Sequence, residues 1–425
     1  MLYPKSIQSM KPILIFLSVI FPSMALSAQG TWRFYNTSSC DINGNTVLAM
    51  AADNNYLWVG TTNGLCRLSG RNTWTDYAMF NKKLKEQSVN CLTIDKNGVL
   101  WVGTDDYGVI EFDGSNWKEH EAEARRLKMK FIGDIAIDNN DVKWIGVTLI
   151  GLVRYDNKTW ELMTPNDSGL PSDFVLCAAI DQRNRKWIGT NGGLGMFNGR
   201  RWVSYTPENS GIADLIVPAV VIDDQDVKWV GTLGGLCRFD GENWTKYTSS
   251  NSPLPGTQIN AMAMDSRGWL WIGTNEGVAV FDRKGRWDSF TPAKNNLPKS
   301  NITSLVIDSK NDVYVGYDLS GIARLSGYEF PASIASADAP SSQTVDAMGE
   351  ERVRVVPYLD QGYVTILFDS PEADVEFFDA NHVSIRHIPH YKKGARINIS
   401  KMPRKLYHLR VKTARTDKTL QFNLK

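Results

Sequence analysis

The chain contains 425 residues, 42% of them hydrophobic, and its 47 basic and 46 acidic side chains leave a formal net charge of +1 at pH 7. This balance excludes the broad positive field on which most nucleic-acid binding depends. Only five histidines are present. Histidine is the side chain most often used as a general acid or base, so few candidates for that role are available.

Residues 1–28 have the features of a secretory signal peptide. Lys5 and Lys11 precede a short apolar run, and small side chains follow at Ala25 and Ala28. The run is too short to cross a membrane comfortably as a helix. We predict cleavage after this segment, a location in the periplasm or at the cell surface, and no transmembrane span in the mature protein.

Residues 29–330 contain seven copies of one motif. Each copy has an apolar run ending in Asp, a Trp-Val/Ile-Gly-Thr run, a Gly-Leu-x-Arg-Phe run and a Trp-x-x-Tyr run, and successive copies are 42 or 43 residues apart. The first aromatic residues of the copies are Trp58, Trp101, Trp144, Trp187, Trp229, Trp271 and Tyr314. Four short strands in a repeat of about 40 to 50 residues are typical of a β-propeller blade.

An aspartate precedes each of these aromatic residues by five or six positions. The aspartates are Asp53, Asp95, Asp138, Asp181, Asp223, Asp265 and Asp308. An Asp side chain at a turn accepts hydrogen bonds from nearby backbone N–H groups. We therefore predict a structural role for these seven carboxylates.

The seventh copy ends after Gly327 without a Trp-x-x-Tyr run, whereas Trp32–Tyr35 near the N-terminus has that character. A closed ring leaves no strand edge exposed to aggregation. The sequence therefore predicts a seven-bladed β-propeller in which the N-terminal strand completes the last blade.

The remaining chain changes character. Residues 331–349 are rich in Ala, Ser and Pro, as in a linker, and residues 350–425 contain short alternating apolar runs that predict a small antiparallel β-sandwich. These runs are Val364–Phe368, Val375–Phe378, Arg396–Ile399, Tyr407–Val411 and Thr419–Phe422. The whole protein is thus expected to be all-β. With 14 basic and 8 acidic residues, the stretch 351–425 either contacts an anionic surface or is simply a solvated face.

The repeat core resembles the two-component regulator propeller repeat, most fully at 187–202 and 229–244. That resemblance implies a β-propeller of the kind found in periplasmic sensor regions of two-component systems. The stretch Ile397–Tyr407 looks like the end of a type IX secretion C-terminal sorting domain, except that Lys405 replaces a glycine. The C-terminal domain is therefore either a working sorting signal or a structural relative of one that no longer sorts.

Cysteines and tryptophans follow the same repeat. Cys66 and Cys237 occupy one position and Cys91 and Cys177 another, in blades that are not adjacent, so the separation is too large for disulfides and we predict free buried thiols. Thirteen of the fourteen tryptophans also recur in register, which favours packing between sheets over sugar stacking. Trp269 is the exception.

Residues that differ between copies are the candidates for binding. In propellers, the loops joining the second and third strands surround the mouth of the central channel, and here the candidate ligand-binding residues are Asp105, Asp106, Tyr107, Asn191, Asn275, Glu276, Tyr317 and Asp318. Asp134 stands where the other copies have Ala, Cys or Ser, and either contacts a ligand or meets channel water. The mixed-charge segment 119–130 predicts a short helical turn that is either solvated or part of a partner-binding lip.

Two functional hypotheses follow. The first is an exported, non-catalytic binding or sensing module that presents the propeller face to a glycan, peptide or protein. The second is a propeller-fold enzyme acting on polysaccharide, a lyase or hydrolase. His120 is the single histidine before residue 331, and the sequence predicts no catalytic residue, metal site or cofactor and no nucleic-acid partner.

Overall fold

The computed structural model describes residues 30–70 and 72–330. In the C-terminal region it describes 354–358, 363–367, 370, 372–378, 384–392, 395, 397–398, 406–413 and 417–423. The chain divides into two compact units that meet between Ala332 and Ser333. The predicted signal peptide and linker lie outside the described residues, so their boundaries stay predictions.

The first unit consists of seven four-stranded antiparallel sheets. Strand β1 (Thr31–Tyr35) belongs to the last of them. Blade 1 contains β2 (Val47–Ala52), β3 (Tyr56–Thr61), β4 (Gly64–Ser69) and β5 (Thr73–Asp76). Blade 2 contains β6 (Val89–Ile94), β7 (Leu100–Thr104), β8 (Val109–Phe112) and β9 (Trp117–Glu119). Blade 3 contains β10 (Ile132–Ile137), β11 (Lys143–Val147), β12 (Gly151–Tyr155) and β13 (Trp160–Met163).

Blade 4 contains β14 (Val175–Ile180), β15 (Lys186–Thr190), β16 (Gly193–Phe197) and β17 (Trp202–Tyr205). Blade 5 contains β18 (Ala219–Ile222), β19 (Lys228–Thr232), β20 (Gly235–Phe239) and β21 (Trp244–Tyr247). Blade 6 contains β22 (Ile259–Met264), β23 (Leu270–Thr274), β24 (Val278–Phe281) and β25 (Trp287–Phe290). Blade 7 contains β26 (Ile302–Ile307), β27 (Val313–Tyr317), β28 (Gly321–Ser326) and β1.

Short helices occupy some connections. They are α1 (Glu121–Arg126), α2 (Pro165–Ser168), α3 (Pro292–Asn295) and the 3₁₀ turns Tyr77–Met79 and Lys82–Leu84. No helix among the described residues is long and apolar enough to cross a membrane.

The predicted ring closure is confirmed. Strand β1 pairs antiparallel with β28, from Thr31 opposite Ser326 to Tyr35 opposite Ile322. The first strands of successive blades contact one another around the ring, and β26 contacts β2. The Thr303 hydroxyl also donates to the Val47 carbonyl across the closure. The first and last parts of the propeller therefore depend on each other.

The recurring aspartate does more than hold a turn. In blade 4, Oδ1 of Asp181 accepts the N–H groups of Arg183 at 3.0 Å and Arg185 at 2.8 Å, while Oδ2 accepts the indole N–H of Trp187 at 2.9 Å. Five of the seven blades repeat this Asp–indole bond, at Trp101, Trp144, Trp187, Trp229 and Trp271. One carboxylate thereby fixes both the hairpin and the tryptophan in the blade core.

Buried lysines link neighbouring blades to these aspartates. Lys186 of blade 4 is buried and lies 2.8 Å from Asp138 of blade 3, with its ammonium 4.9 Å from the Trp144 ring centroid. Burial alone would raise the pKa of Asp138, but hydrogen bonds from Lys186, Trp144 and the backbone outweigh it and hold the pKa below its usual range. These hydrogen bonds and the ion pair compensate for the hydration that the Asp138 carboxylate loses on burial.

The other repeated tryptophans also serve packing, as predicted. In five blades the fourth-strand tryptophan stacks on an aromatic residue of the third strand, for example Trp160 on Tyr155 at 4.0 Å and Trp287 on Phe281 at 4.2 Å between ring centroids. Trp32 and Trp74 instead contact Phe290 and Tyr35 edge-on. Trp269, the tryptophan outside the pattern, packs edge-on against Phe330 and under Arg267. These contacts assign it to packing as well.

The cysteines are free thiols, and Cys66, Cys91, Cys177 and Cys237 are buried. Burial raises the pKa of the Cys66 thiol to about 12 and of the Cys237 thiol to about 11. Thiols with such pKa values are poor nucleophiles at neutral pH. Their role is that of small apolar side chains in the blade interfaces.

The second unit contains two antiparallel sheets, one of three strands and one of four. Its strands are β29 (Arg354–Tyr358), β30 (Tyr363–Leu367), β31 (Glu372–Phe378), β32 (Ser384–Lys392), β33 (Ile397–Asn398), β34 (Leu406–Lys412) and β35 (Asp417–Asn423). Ile366 and Ile397 of one sheet share a core with Val375, Phe377 and Leu409 of the other. The predicted sandwich is confirmed, whereas Lys405 lies outside the described residues and the sorting-domain resemblance stays a prediction.

Deleting residues 30–36 removes β1 and opens the ring, so we expect a large loss of stability and not the small effect of trimming a terminus. Urea unfolding followed by tryptophan fluorescence measures it. A variant that shortens the chain at the other end, by deleting 424–425, is the control. Equal stability of the two variants would contradict the role of β1 in closure.

Replacing Asp138 by Ala should lower the free energy of unfolding by about 3–5 kcal/mol, because it leaves the buried Lys186 ammonium and the Trp144 indole N–H without their carboxylate. Asp308 makes the same turn bonds to Lys310 and Asp312, so Asp308→Ala is the matched control, with an expected loss of about 1–2 kcal/mol. Similar losses in the two variants would show that the Lys186 contact is unimportant.

Candidate functional site

One face of the propeller carries the hairpins that join the second and third strands and the connections between blades. We call it the mouth face. Backbone hydrogen bonds tie its segments together: Asp105 O accepts from Phe131 N at 2.9 Å, and Phe131 O accepts from Thr148 N at 3.1 Å. The mouth face is therefore a continuous surface and not a set of independent loops.

A central channel of about 230 Å³ is lined by the first strands of all seven blades. Asp134 lines it, where the sequence placed it. Its carboxylate accepts the N–H of Ile135 and that of Ala178 in the next blade, both at 2.8 Å. Burial raises the pKa of Asp134 to about 6, although these two bonds favour the charged form. This carboxylate joins blades 3 and 4, and ligand binding by it stays a prediction.

Most of the predicted rim residues lie on the mouth face with partly exposed side chains. Asp106 pairs with Lys130 at 3.0 Å, and the Tyr107 ring lies 5.4 Å from the Lys83 ammonium. Asn191 accepts from Ser172 Oγ at 2.6 Å. Glu276 is exposed. These four side chains are available at the surface.

Three further rim residues are engaged in holding the loops. Asp105 accepts from the Asn90 amide, Asn275 accepts from Gln258 N at 3.3 Å, and Asp318 N donates to Asn301 O at 2.9 Å. Each is only partly buried. Loop positioning is thus their first role.

Tyr317 does not lie in the exposed loop where the sequence pattern places it, and its role in ligand binding stays a prediction. Tyr317 is the last residue of β27, pairs with Ile302, and is 1% exposed. Its position is that of the Thr that ends the second strand in five other blades, where the hydroxyl donates to a glycine carbonyl of the same hairpin. The sequence does not show this equivalence, because Tyr317 is not a threonine and the dipeptide Tyr317-Asp318 resembles a loop.

Seven exposed apolar side chains lie on the mouth face, and the sequence indicated only Tyr107 among them. They are Met79, Phe80, Tyr107, Phe131, Leu149, Leu215 and Leu319, and we call them the apolar arc. Met79 is 82% exposed and Leu319 is 73% exposed. In the described propeller, the other exposed large apolar residues are Phe34 and Val203, which lie on outermost strands. The arc extends from blade 7 through blades 1, 2 and 3 to the connection after blade 4.

Three members of the arc have left-handed backbone conformations. The φ angles are 53° at Phe131, 65° at Leu149 and 69° at Leu319. Such conformations are unfavourable for residues with a bulky side chain, and Asn or Gly normally occupies them. Exposure and backbone strain therefore coincide at three apolar residues, a combination that clusters at functional surfaces.

The segment 119–130 forms the predicted helical turn, α1, and is anchored to its surroundings. Lys83 lies 2.6 Å from Glu119 and 2.7 Å from Glu121, while Leu127 and Met129 are buried. The segment is thus part of the mouth face and more than a solvated loop. A role as a partner-binding lip stays a proposal.

His120 is buried away from the residues that line the channel. Its ring is parallel to Trp101 at 6.1 Å, contacts Trp160 edge-on, and has Nε2 2.5 Å from Glu111 Oε1. Burial alone would raise the pKa of Glu111, but hydrogen bonds from His120 and Lys118 lower it. These contacts describe a core histidine.

Titration of the Asp134 carboxyl, followed by ¹³C NMR of its Cγ, should have a midpoint of about 6. Because the folded protein then binds this proton more tightly than the unfolded chain, protonation from pH 6 downward adds stability. The assigned signal should vanish in Asp134→Asn. A midpoint near or below the ordinary 3.8 would show that the channel is well solvated.

Comparison with known proteins agrees with this geometry. The family model of the two-component regulator propeller matches residues 83–106 and 253–276, which include parts of blades 2 and 6. No curated protein sequence matches the chain significantly.

Solved structures share the fold at low sequence identity. The extracellular domain of a hybrid two-component system from B. thetaiotaomicron is 17% identical, with a TM-score of 0.61 over 93% of this chain and 57% of that chain. The extracellular domain of a one-component system from the same organism is also 17% identical, with a TM-score of 0.56 over 93% and 58%. Virginiamycin B lyase from Staphylococcus aureus is 12% identical, with a TM-score of 0.56 over 70% and 99%.

This chain spans less than two thirds of either B. thetaiotaomicron structure, and identities this low show the fold alone. Two segments of the chain thus match the two-component regulator propeller model, and the first unit folds as a seven-bladed β-propeller.

Proposed function

We propose that the protein is an exported, non-catalytic binding or sensing module whose mouth face binds a peptide or protein. The apolar arc carries this proposal. Seven of the nine exposed large apolar side chains of the described propeller lie on loops of this one face, and exposed apolar surface rimmed by polar residues is typical of interaction sites. Export rests on the signal-peptide character of residues 1–28.

The character of the arc favours a peptide or protein over a glycan. Leu, Met and Phe side chains in loops bury well against apolar side chains of a partner, whereas the tryptophans that could stack on sugars are used in blade packing. Asp106 and Asn191 add polar side chains to the same part of the mouth face. A polar rim beside an apolar patch is the usual composition of a protein interface.

The alternative, a propeller enzyme acting on polysaccharide, has less support. General acid–base catalysis needs a positioned group that can exchange a proton with the substrate. His120 is enclosed by aromatic side chains, and the carboxylate of Asp134 is held by two backbone N–H groups. Among the described residues, no group of His, Cys, Asp and Glu has the arrangement of a metal site.

Peptides selected from a random displayed library against the purified protein should contain aromatic and aliphatic residues. Their affinity, measured by calorimetry, should fall at least tenfold in Leu149→Ser and Leu319→Ser while the melting temperature is maintained, because burial of each leucine contributes about 1.5–3 kcal/mol. Val203→Ser, on an outermost strand, is the control and should bind normally.

Other results would overturn the proposal. Binding would be assigned to the C-terminal unit if substitutions in the arc left peptide affinity unchanged and substitutions of four basic residues abolished it. These residues are Lys392, Lys393, Lys401 and Arg404. A glycan panel run in parallel, with assay for depolymerised products, tests the enzyme alternative. Product formation would replace the binding-module proposal by a lyase or hydrolase.

Leu149→Asn and Leu319→Asn should each increase the free energy of unfolding, by about 1 kcal/mol, because Asn tolerates positive φ better than Leu does. Thermal or urea unfolding measures the change. Such a gain means that the leucines are maintained at a cost in stability, as expected for binding residues. A clear loss of stability would instead assign them a structural role.

A further inference from the structure

A pocket of about 510 Å³ opens on the mouth face between blades 6 and 7, in the part of the rim that the apolar arc leaves free. Its walls are the hairpin at 275–277, the start of α3 and the connection at 297–302, and Tyr317 contributes to its inner surface. Leu297, Pro292 and Pro298 make much of the lining apolar. This volume lies in the range of small-molecule sites.

Tyr317, which lines this pocket, has a buried hydroxyl group without a partner in the described part of the chain. In five blades the equivalent Thr donates to a glycine carbonyl, as Thr274 does to Gly277 at 2.9 Å in blade 6. Tyr317 is 99% buried by contrast, and its hydroxyl has no hydrogen-bond partner among the described residues. Burial raises the pKa of Tyr317, so the phenol keeps its proton and remains a hydrogen-bond donor.

Packing alone does not explain why residue 317 is a tyrosine. A buried hydroxyl without a partner is unfavourable by comparison with the same ring lacking it. The ring alone packs with Leu297, Ile302 and Phe290 in the core between the two blades, so a phenylalanine would serve packing equally well. Of the seven described residues with an unpartnered buried side-chain atom, Tyr317 is the one that lines this pocket, and a ligand there would satisfy its hydroxyl.

The charges at the pocket opening indicate the kind of partner. Lys299 on the connection between the blades is exposed, and so is Glu276 on the facing hairpin. A donor inside and an ammonium group outside favour an anionic oxygen, since hydrogen bonds to ionised groups are the stronger ones. Glu276 disfavours a second negative charge on the same molecule.

We propose that this pocket binds a small monocarboxylate with an apolar body, with the carboxylate accepting a hydrogen bond from Tyr317 and attracted by Lys299. The inference rests on the proposed use of the mouth face for binding and gives it a second site beside the apolar arc. Free amino acids and the C-terminal residue of a peptide both supply this chemistry.

The test uses 3-phenylpropionate and 4-methylpentanoate, with 3-phenylpropylamine as the matched cation, and measures binding to the purified protein by ligand-observed NMR and calorimetry. The carboxylates should bind and the amine should not. Phenylalanine and glycyl-phenylalanine then distinguish a free amino acid from a peptide end. No binding of any of these carboxylates would overturn the proposal.

Tyr317→Phe should weaken carboxylate binding at least tenfold, because it deletes only the donor. Lys299→Gln should weaken it less, with an effect that diminishes at high salt. Lys284→Gln, which changes a lysine in the β24–β25 hairpin of the opposite face, is the control and should leave binding unchanged. Binding that is indifferent to Tyr317→Phe would also overturn the proposal.

Stability provides a measurement that does not depend on the choice of probe. Without ligand, Tyr317→Phe should melt at the same or a higher temperature, since it removes an unpartnered buried hydroxyl. A lower melting temperature would show that the hydroxyl is already satisfied and would contradict the proposal. Peptide binding through Leu149 and Leu319 is independent of this variant, so the two proposals can fail separately.

Discussion

The bond between the recurring aspartate and the indole of the tryptophan six residues later is the interaction on which the blades depend. One carboxylate satisfies two backbone N–H groups of a hairpin and a buried indole N–H at the same time, as Asp223 does for Gln225, Val227 and Trp229. A buried indole without a partner would be unfavourable. In five blades the pair therefore permits a tryptophan in the core, and the apolar area that it buries stabilises the sheet interface.

The same carboxylates turn seven separate sheets into a ring. Lys186 reaches Asp138, and Arg283 reaches Asp223 at 2.7 Å, each from one blade to the preceding one. Each of these ion pairs requires a defined distance between two blades. Together with the pairing of β1 and β28, they make each blade interface depend on correct placement of its neighbours.

Repetition explains why the framework was predictable. Seven copies of one pattern show directly which residues are required by the fold, and a missing fourth strand in one copy points to the N-terminal strand at Trp32. The buried lysines had a signal in the sequence, a Lys directly before the tryptophan at Lys143, Lys186 and Lys228, but a lysine is normally read as exposed. Lys186 and Lys228 reach aspartates of the preceding blade, a contact that sequence order does not reveal.

The mouth face was harder to predict for a physical reason. Residues that differ between the seven copies indicate where a binding surface lies. They do not indicate which of those side chains are exposed. Leu149 and Leu319 look like core residues in the sequence, and Tyr317 looks like part of a loop, because exposure there depends on positive φ angles and on where a hairpin begins. Only the three-dimensional register shows that the leucines point outward and that the tyrosine occupies a strand position.

In a repeated framework, one blade can differ from the others without loss of the ring. Since six Thr or Val residues at the end of the second strand suffice to close their hairpins, the seventh position is free to differ without affecting the ring, and Tyr317 occupies it. Likewise the hairpins of blades 3 and 7 accept a leucine where the backbone favours asparagine. Stability is supplied by the repeated Asp–Trp pairs, so departures confined to single blades are tolerated, and the places where one blade departs from the other six are where a specific surface can form.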